Sequence, residues 1–276
     1  MCPEGPGGGA PPAPLTQHRV DGLAVLRRRP EGVADPPLVV LVHGAMDRAA
    51  SFGRTMRRLG DHDVVAYDRR GYDHSSDAGV APTLSEHAAD LAAVLAWAGA
   101  GGRGATVVGH SLGGTVALVL AASDPPAVVG LGLFECPVPG RPVYRADGAD
   151  IALAAAAEGG PPAAAEAFYR LVVGAATWDR LRERDRERRR AEGEALVAEL
   201  RDLARPGAVP EPDRVSLPAV VGTGDAGAGY WATAAADLAA ALPSGDLAVL
   251  AGAGHGAHLA RPDEFARYVR RCVRRT

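Results

Sequence analysis

The sequence contains no lysine and no asparagine, and all 30 of its basic residues are arginine. With 35 glycines, 22 prolines and long alanine runs, this reads as the codon usage of a GC-rich genome, so arginine clusters here carry less functional meaning than usual. Cysteine is scarce. Cys2, Cys136 and Cys272 are odd in number and widely spaced, a pattern that suggests neither a disulfide framework nor a zinc site. No apolar run approaches the length of a membrane-spanning helix. Neither sign of charge predominates: the formal net charge of −3 gives no field that would gather nucleic acid or an acidic membrane face. Residues 1–14 are rich in glycine and proline but lack a basic segment and an apolar segment, so they are expected to be a disordered tail rather than a signal peptide. A reducing cytoplasm is the default location. No metal, no cofactor, no membrane and no nucleic-acid partner is expected, and nothing indicates an oligomeric state.

What is present has the rhythm of an α/β protein. At 276 residues the chain can bury roughly 75% of its unfolded surface in one domain. Gln17–Val20 and Leu23–Leu26 flank Asp21-Gly22, a two-residue hairpin signal. Leu38–Val42 is a continuous β-branched run, as expected of a strand buried on both faces of a parallel sheet. Similar runs follow at Val64–Tyr67, Ala105–Val108, Val128–Phe134, Ala219–Val221 and Leu247–Leu250. Helical patterns alternate with them, at Leu84–Trp97 behind a Thr83/Glu86 capping box, Leu112–Ser123, Tyr230–Leu242 and Asp263–Arg271. This alternation implies βαβ units in a mostly parallel sheet, with the first hairpin as an antiparallel edge. The stretch 137–212 breaks it. It holds no convincing strand, only helical patterns near Ala149–Glu158, Ala163–Val173 and Thr177–Leu203, the last with an Asp185/Arg189 pair four residues apart and a solvated middle. We read it as a helical cap inserted into a core formed by residues 15–136 and 213–276.

Chemistry concentrates at the carboxyl ends of the predicted strands. Gly109-His110-Ser111-Leu112-Gly113 sits between a strand and a helix, the setting in which a serine on a sharp turn exposes its Oγ. The pattern alone is weak in so glycine-rich a chain, and its context is what raises it. His43-Gly44-Ala45 closes an earlier strand and can aim the Ala45 N–H at the same edge, where with the Leu112 N–H it would form an oxyanion hole. Gly222-Thr223-Gly224-Asp225 and Gly252-Ala253-Gly254-His255 follow two later strands. Because parallel strands share one carboxyl edge, Ser111, His255 and Asp225 can converge as nucleophile, base and supporting acid. Two alternatives stand beside that assignment: His258 as base, and Glu135, which ends the sixth strand, as acid. His43 and His110 read as structural, His74 as a solvated loop residue and Cys136 as an inert buried thiol. Phe168, Tyr169 and Trp178 are candidate pocket residues.

The chain order Ser…Asp…His, the His43-Gly44 turn, Asp68-Arg69-Arg70-Gly71-Tyr72, the serine elbow, and Gly-Ala-Gly-His255 followed by Arg261-Pro262-Asp263-Glu264-Phe265 together resemble the serine-nucleophile branch of the α/β-hydrolase superfamily. The similarity runs from about Leu15 to the C-terminus. It implies an eight-stranded sheet with a helical cap after the sixth strand. Two positions depart from the family pattern. Asp73 stands where a glycine is usual, and Asp225 is followed by Ala226-Gly227-Ala228-Gly229 rather than bulky residues and proline. The resemblance implies a cofactor-free hydrolase of the carboxylic-ester type, cleaving an ester, thioester, lactone or carbon–carbon bond in a small, partly apolar substrate. Lyase or perhydrolase activity on the same triad, or a slow-turnover ligand receptor, are the alternatives.

Overall fold

The apolar runs assemble into a single eight-stranded sheet in the computed structural model, which describes residues 13–276. Apart from its last two residues, the expected tail lies outside that range. The strands are β1 (Thr16–Val20), β2 (Leu23–Arg28), β3 (Leu38–Val42), β4 (Asp63–Tyr67), β5 (Ala105–His110), β6 (Val128–Phe134), β7 (Ala219–Gly224) and β8 (Gly245–Leu250). Their spatial order is β1-β2-β4-β3-β5-β6-β7-β8. β1 and β2 form the expected hairpin, with positive φ at Asp21 (48°) and Gly22 (85°), the backbone that an Asp-Gly turn supplies. β2 runs antiparallel to β4, and every pairing from β4 across to β8 is parallel.

Burial on both faces explains why the strands read as continuous apolar runs rather than alternating ones. Successive residues point to opposite sides. Val40 and Val42 join a core with Leu91 and Val116, whereas Val39 and Leu41 join another with Phe52, Phe265 and Val269. The helices facing the first core include Leu84–Ala98 and Leu112–Ala121; Pro262–Arg274 covers the second. Thr83 and Glu86 make the complete reciprocal capping box expected of them.

Between β6 and β7 the chain is helical, through Asp147–Tyr169, a π-helical turn at Arg170–Gly174, Ala175–Arg180, Glu183–Ala191 and Gly193–Leu203. The first of these kinks at Gly160 (φ 75°), just ahead of Pro161 and Pro162. The single helix expected over Thr177–Leu203 is instead three pieces. Leu181 is extended and ends the first, and the chain turns again at Glu192. The last helix packs on the kinked one through its first residue, Gly193, where a Cβ would lie 2.0 Å from the Pro161 carbonyl oxygen. The Asp185–Arg189 pair is likewise replaced, since Arg189 turns to Glu192 and to the Met46 carbonyl. Glu183–Ala191 has no buried residue, matching the solvated character read from its charges.

Candidate active site

Ser111 connects β5 directly to the helix Leu112–Ala121 with φ 52° and ψ −128°. A non-glycine residue held there stores roughly 1–3 kcal/mol of strain, and persists only where its surroundings over-determine it. They do so here. Ser111 N–H donates to the Phe134 carbonyl at 2.8 Å, and the Ser111 carbonyl accepts from Gly114 N–H at 2.8 Å. The flanking glycines are obligatory: a Cβ on Gly109 would lie 2.4 Å from the Gly113 oxygen, and one on Gly113 would lie 2.2 Å from the Val42 oxygen.

His255 follows β8 and has its Nδ1 2.6 Å from Oε2 of Glu135. A carboxylate oxygen accepts, so Nδ1 carries the proton and Nε2 is left as the free lone pair. Glu135 is fully buried, with a positive φ of 45° just past the end of β6. Its other oxygen, Oε1, accepts from Thr223 Oγ1 at 3.2 Å and from Gly224 N–H at 3.0 Å, so the carboxylate is fixed at three points. Trp231 stacks on the His255 ring at 5.0 Å and 14°. Among the described residues no hydrogen bond joins Ser111 Oγ to His255, though both line one cavity.

Asp225, the expected acid, is not the carboxylate that reaches His255. Asp225 is exposed, and its Oδ1 accepts from Gly252 N–H at 2.6 Å. The physical reason is the length of β7, which continues past Val221 to Gly224 and carries Asp225 beyond the edge where Glu135 sits. The loop that carries Asp225 is held against the loop before His255, and the close approach is at Gly224, ahead of Asp225. Ala226 N–H donates to the Ala253 carbonyl at 2.9 Å, and a Cβ on Gly224 would lie 2.0 Å from that oxygen.

The turn after β3 lies against the serine, with Gly44 so close that a Cβ on it would be 3.0 Å from Ser111 Cβ. Among the described residues, neither the Ala45 N–H nor the Leu112 N–H has a hydrogen-bond partner. Both residues border the cavity, and Leu112 is the first residue of its helix, where backbone donors are unpaired and the macrodipole is positive. His43 organises the turn. Its Nδ1 donates to the Gly44 carbonyl at 2.8 Å and its Nε2 accepts from Arg69 N–H at 2.8 Å, which locks the ring neutral. Burial, helped by the Arg69 guanidinium, lowers its pKa to about 3.

Beneath the site lies a second histidine layer. His258 is buried, and its Nε2 is engaged by Asp47 Oδ2 at 3.0 Å. His110 Nε2 donates to the His255 carbonyl at 2.8 Å, and burial holds its pKa well below the usual imidazole value. Asp47, His110 and His258 bring donor atoms within 4.8 Å of one another. The Asp47–His258 hydrogen bond already satisfies two of these donors without an ion.

The cavity over Ser111 and His255 has a volume of about 410 Å³. Of the candidate pocket residues, Phe168 and Tyr169 line it. Trp178 does not: it is wholly buried and packs behind Tyr169 at 5.4 Å. Tyr230 and Trp231 line the cavity and were not singled out from the sequence, although an aromatic pair four residues past Ala226 was a usable signal. Cys136 is buried and its thiol is pushed up to about 12, as an inert packing residue should be. His74 is solvent-exposed, in a 3-10 helix at Asp73–Ala78 rather than a loop. Asp73 adopts the left-handed backbone (φ 41°) of the glycine it replaces, and pairs with Arg48 and Arg188.

Comparison with known proteins bears on the family and the fold. The profile of the alpha/beta hydrolase family matches residues 39–268. Lipase LipV of Mycobacterium tuberculosis is 36% identical over 114 residues, a segment that is 41% of this chain and 41% of the lipase. An alpha/beta hydrolase from Sphaerobacter thermophilus superposes with a TM-score of 0.68 at 27% identity, covering 91% of this chain and 97% of that one. The enol-lactonase of Burkholderia xenovorans superposes with a TM-score of 0.67 at 23% identity, covering 94% of this chain and 100% of the lactonase.

Proposed function

The chain belongs to the alpha/beta hydrolase family, and from that premise we propose a serine hydrolase whose triad is Ser111, His255 and Glu135. The observation that carries the proposal is the 2.6 Å contact of His255 Nδ1 with the buried Glu135 carboxylate, opposite a serine held at an elbow φ of 52°. In this reading Ser111 Oγ attacks the substrate carbonyl carbon as His255 Nε2 takes its proton, which requires the two atoms to close to about 2.6–3.2 Å. The Ala45 and Leu112 N–H groups receive the developing oxyanion. Collapse of the intermediate expels the leaving alkoxide, which takes the proton back from His255. Water, deprotonated in turn by His255, then releases the acid and restores Ser111. Glu135 keeps Nδ1 protonated and steadies the imidazolium without itself gaining a proton.

The substrate class is a small ester or lactone with an apolar portion. Its support is a cavity of about 410 Å³ walled by Met46, Leu112, Phe168, Leu200 and Leu203, a size that suits a small molecule. A lipase and an enol-lactonase among the similar proteins point the same way. The helices between β6 and β7, contributing Phe168, Tyr169, Leu200 and Leu203, serve as a cap that selects the substrate. A panel of p-nitrophenyl esters of rising acyl length, together with simple lactones, tests the assignment. Turnover should be measurable on a short or medium chain and fall at least a thousandfold in Ser111→Ala. An inactive wild-type protein on every substrate, or an active alanine variant, contradicts it.

A further inference from the structure

A buried ion pair joins the helical insertion to the core at the turn after β3. Glu199, in the helix Gly193–Leu203, and Arg69, just past β4, are both fully buried and directly paired. Glu199 also accepts from Tyr72 Oη at 2.7 Å and lies 2.8 Å from His87 Nε2. Charges this deep are expensive to bury, and apolar residues of equal volume often serve stability as well or better. The pair therefore needs another explanation, and the rest of the guanidinium supplies it. Arg69 Nε donates to the His43 carbonyl at 3.0 Å and Nη2 donates to the Gly44 carbonyl at 3.1 Å.

The Gly44 carbonyl belongs to the peptide unit that carries the Ala45 N–H. In a planar trans peptide the two point in opposite directions, so holding the carbonyl fixes the aim of the N–H. Arg69 and His43 Nδ1 hold that oxygen, while Gly44 packs against Ser111 and Ala45 lines the same cavity as Ser111. We infer that Glu199 is a positioning residue for catalysis, acting through Arg69 to aim the Ala45 oxyanion donor, so that the insertion must be seated before that donor is aligned. The inference rests on the proposed hydrolase reading, and goes beyond it in making the insertion part of transition-state stabilisation.

A misaimed donor lowers the rate of forming the tetrahedral species and leaves ground-state binding largely alone, because the oxyanion exists only after attack. Glu199→Gln should lower kcat at least tenfold with KM within about twofold, and slow fluorophosphonate labelling of Ser111 by a similar factor. Glu199→Gln leaves Arg69 buried without its partner and can fail to fold. The double variant Arg69→Met/Glu199→Met removes both charges and the carbonyl clamp together, and should show the same loss of kcat at nearly constant KM. Wild-type labelling with unchanged kcat and labelling rate in the folded variants overturns the relay and leaves the hydrolase reading standing. A change confined to KM also overturns it, marking Glu199 as a residue that only shapes the pocket. Absence of labelling in the wild-type protein refutes the hydrolase reading, and the relay with it.

Discussion

At the scale of single residues, the account turns on which carboxylate faces His255. Glu135 has no water contact and three donors around its two oxygens, whereas Asp225 is exposed and spends its carboxylate on the Gly252 amide. An amide at the true acid position presents a donor where His255 must also donate, favouring the wrong tautomer; the corresponding exchange in the serine-protease template costs about 10⁴ in kcat. Glu135→Gln should therefore lose about 10³–10⁴ in kcat, and Asp225→Asn less than tenfold, measured on the best ester with thermal midpoints compared in parallel. The reverse ranking would return the acid to the end of β7. The serine was legible in the sequence because its glycine surroundings are dictated by steric contact, and the histidine because it follows the last strand in the order Ser…His. The acid was harder to read, since both carboxylates follow strands that end on one edge. The choice depended on three extra residues of β7, and strand ends are set by tertiary pairing with β8 rather than by local pattern.

At the scale of elements, the elbow and the insertion behave differently. Gly113→Ala would force a Cβ to 2.2 Å from the Val42 oxygen, backbone against backbone, so the variant should lose several kcal/mol of stability, beyond about 3, or fail to accumulate as folded protein. A soluble variant with a wild-type urea midpoint would show that the strand–helix approach is looser than described. In the insertion, Phe168→Ala should shift the preferred acyl length while leaving Ser111 reactive, because the ring faces the cavity. Trp178→Ala should instead destabilise by about 3–5 kcal/mol, since the indole is fully buried away from the cavity. Matched substrate profiles and urea melts of the two variants separate these roles. The sheet strands were legible because burial on both faces leaves a continuous apolar run. The insertion was less so. The charged run through Glu192 fits one long helix, and its break at Glu192 is set by tertiary packing, such as that of Gly193 on Pro161 far away in sequence, rather than by local pattern.

At the scale of the whole molecule, buried titratable groups fix how stability depends on pH. Imidazole titrates near 6.5 in the unfolded chain, but His43 is lowered to about 3 and His110 well below its usual value. Between those limits the unfolded state binds protons that the native state refuses, so stability falls as pH falls below about 6.5, each group contributing about 1.4 kcal/mol per pH unit. Glu199, lowered to about 2 by Arg69 and His87 against the opposing effect of burial, adds to the loss once pH drops below 4.5. Burial raises Asp68 and Glu192, which act against that trend. Urea midpoints should hold between pH 7 and 8 and decline steadily from pH 6.5 to 4.5; a flat profile to pH 5 would contradict the buried neutral imidazoles. No helix among the described residues is long and apolar enough to cross a membrane. The account as a whole rests on Ser111 being an activated nucleophile, and one measurement reaches that directly: fluorophosphonate treatment of the folded protein followed by intact-mass analysis and peptide mapping. One adduct per chain, on Ser111 alone and slowed strongly by Glu135→Gln, is the predicted result. Modification of a different serine, or no adduct on folded protein, would contradict it.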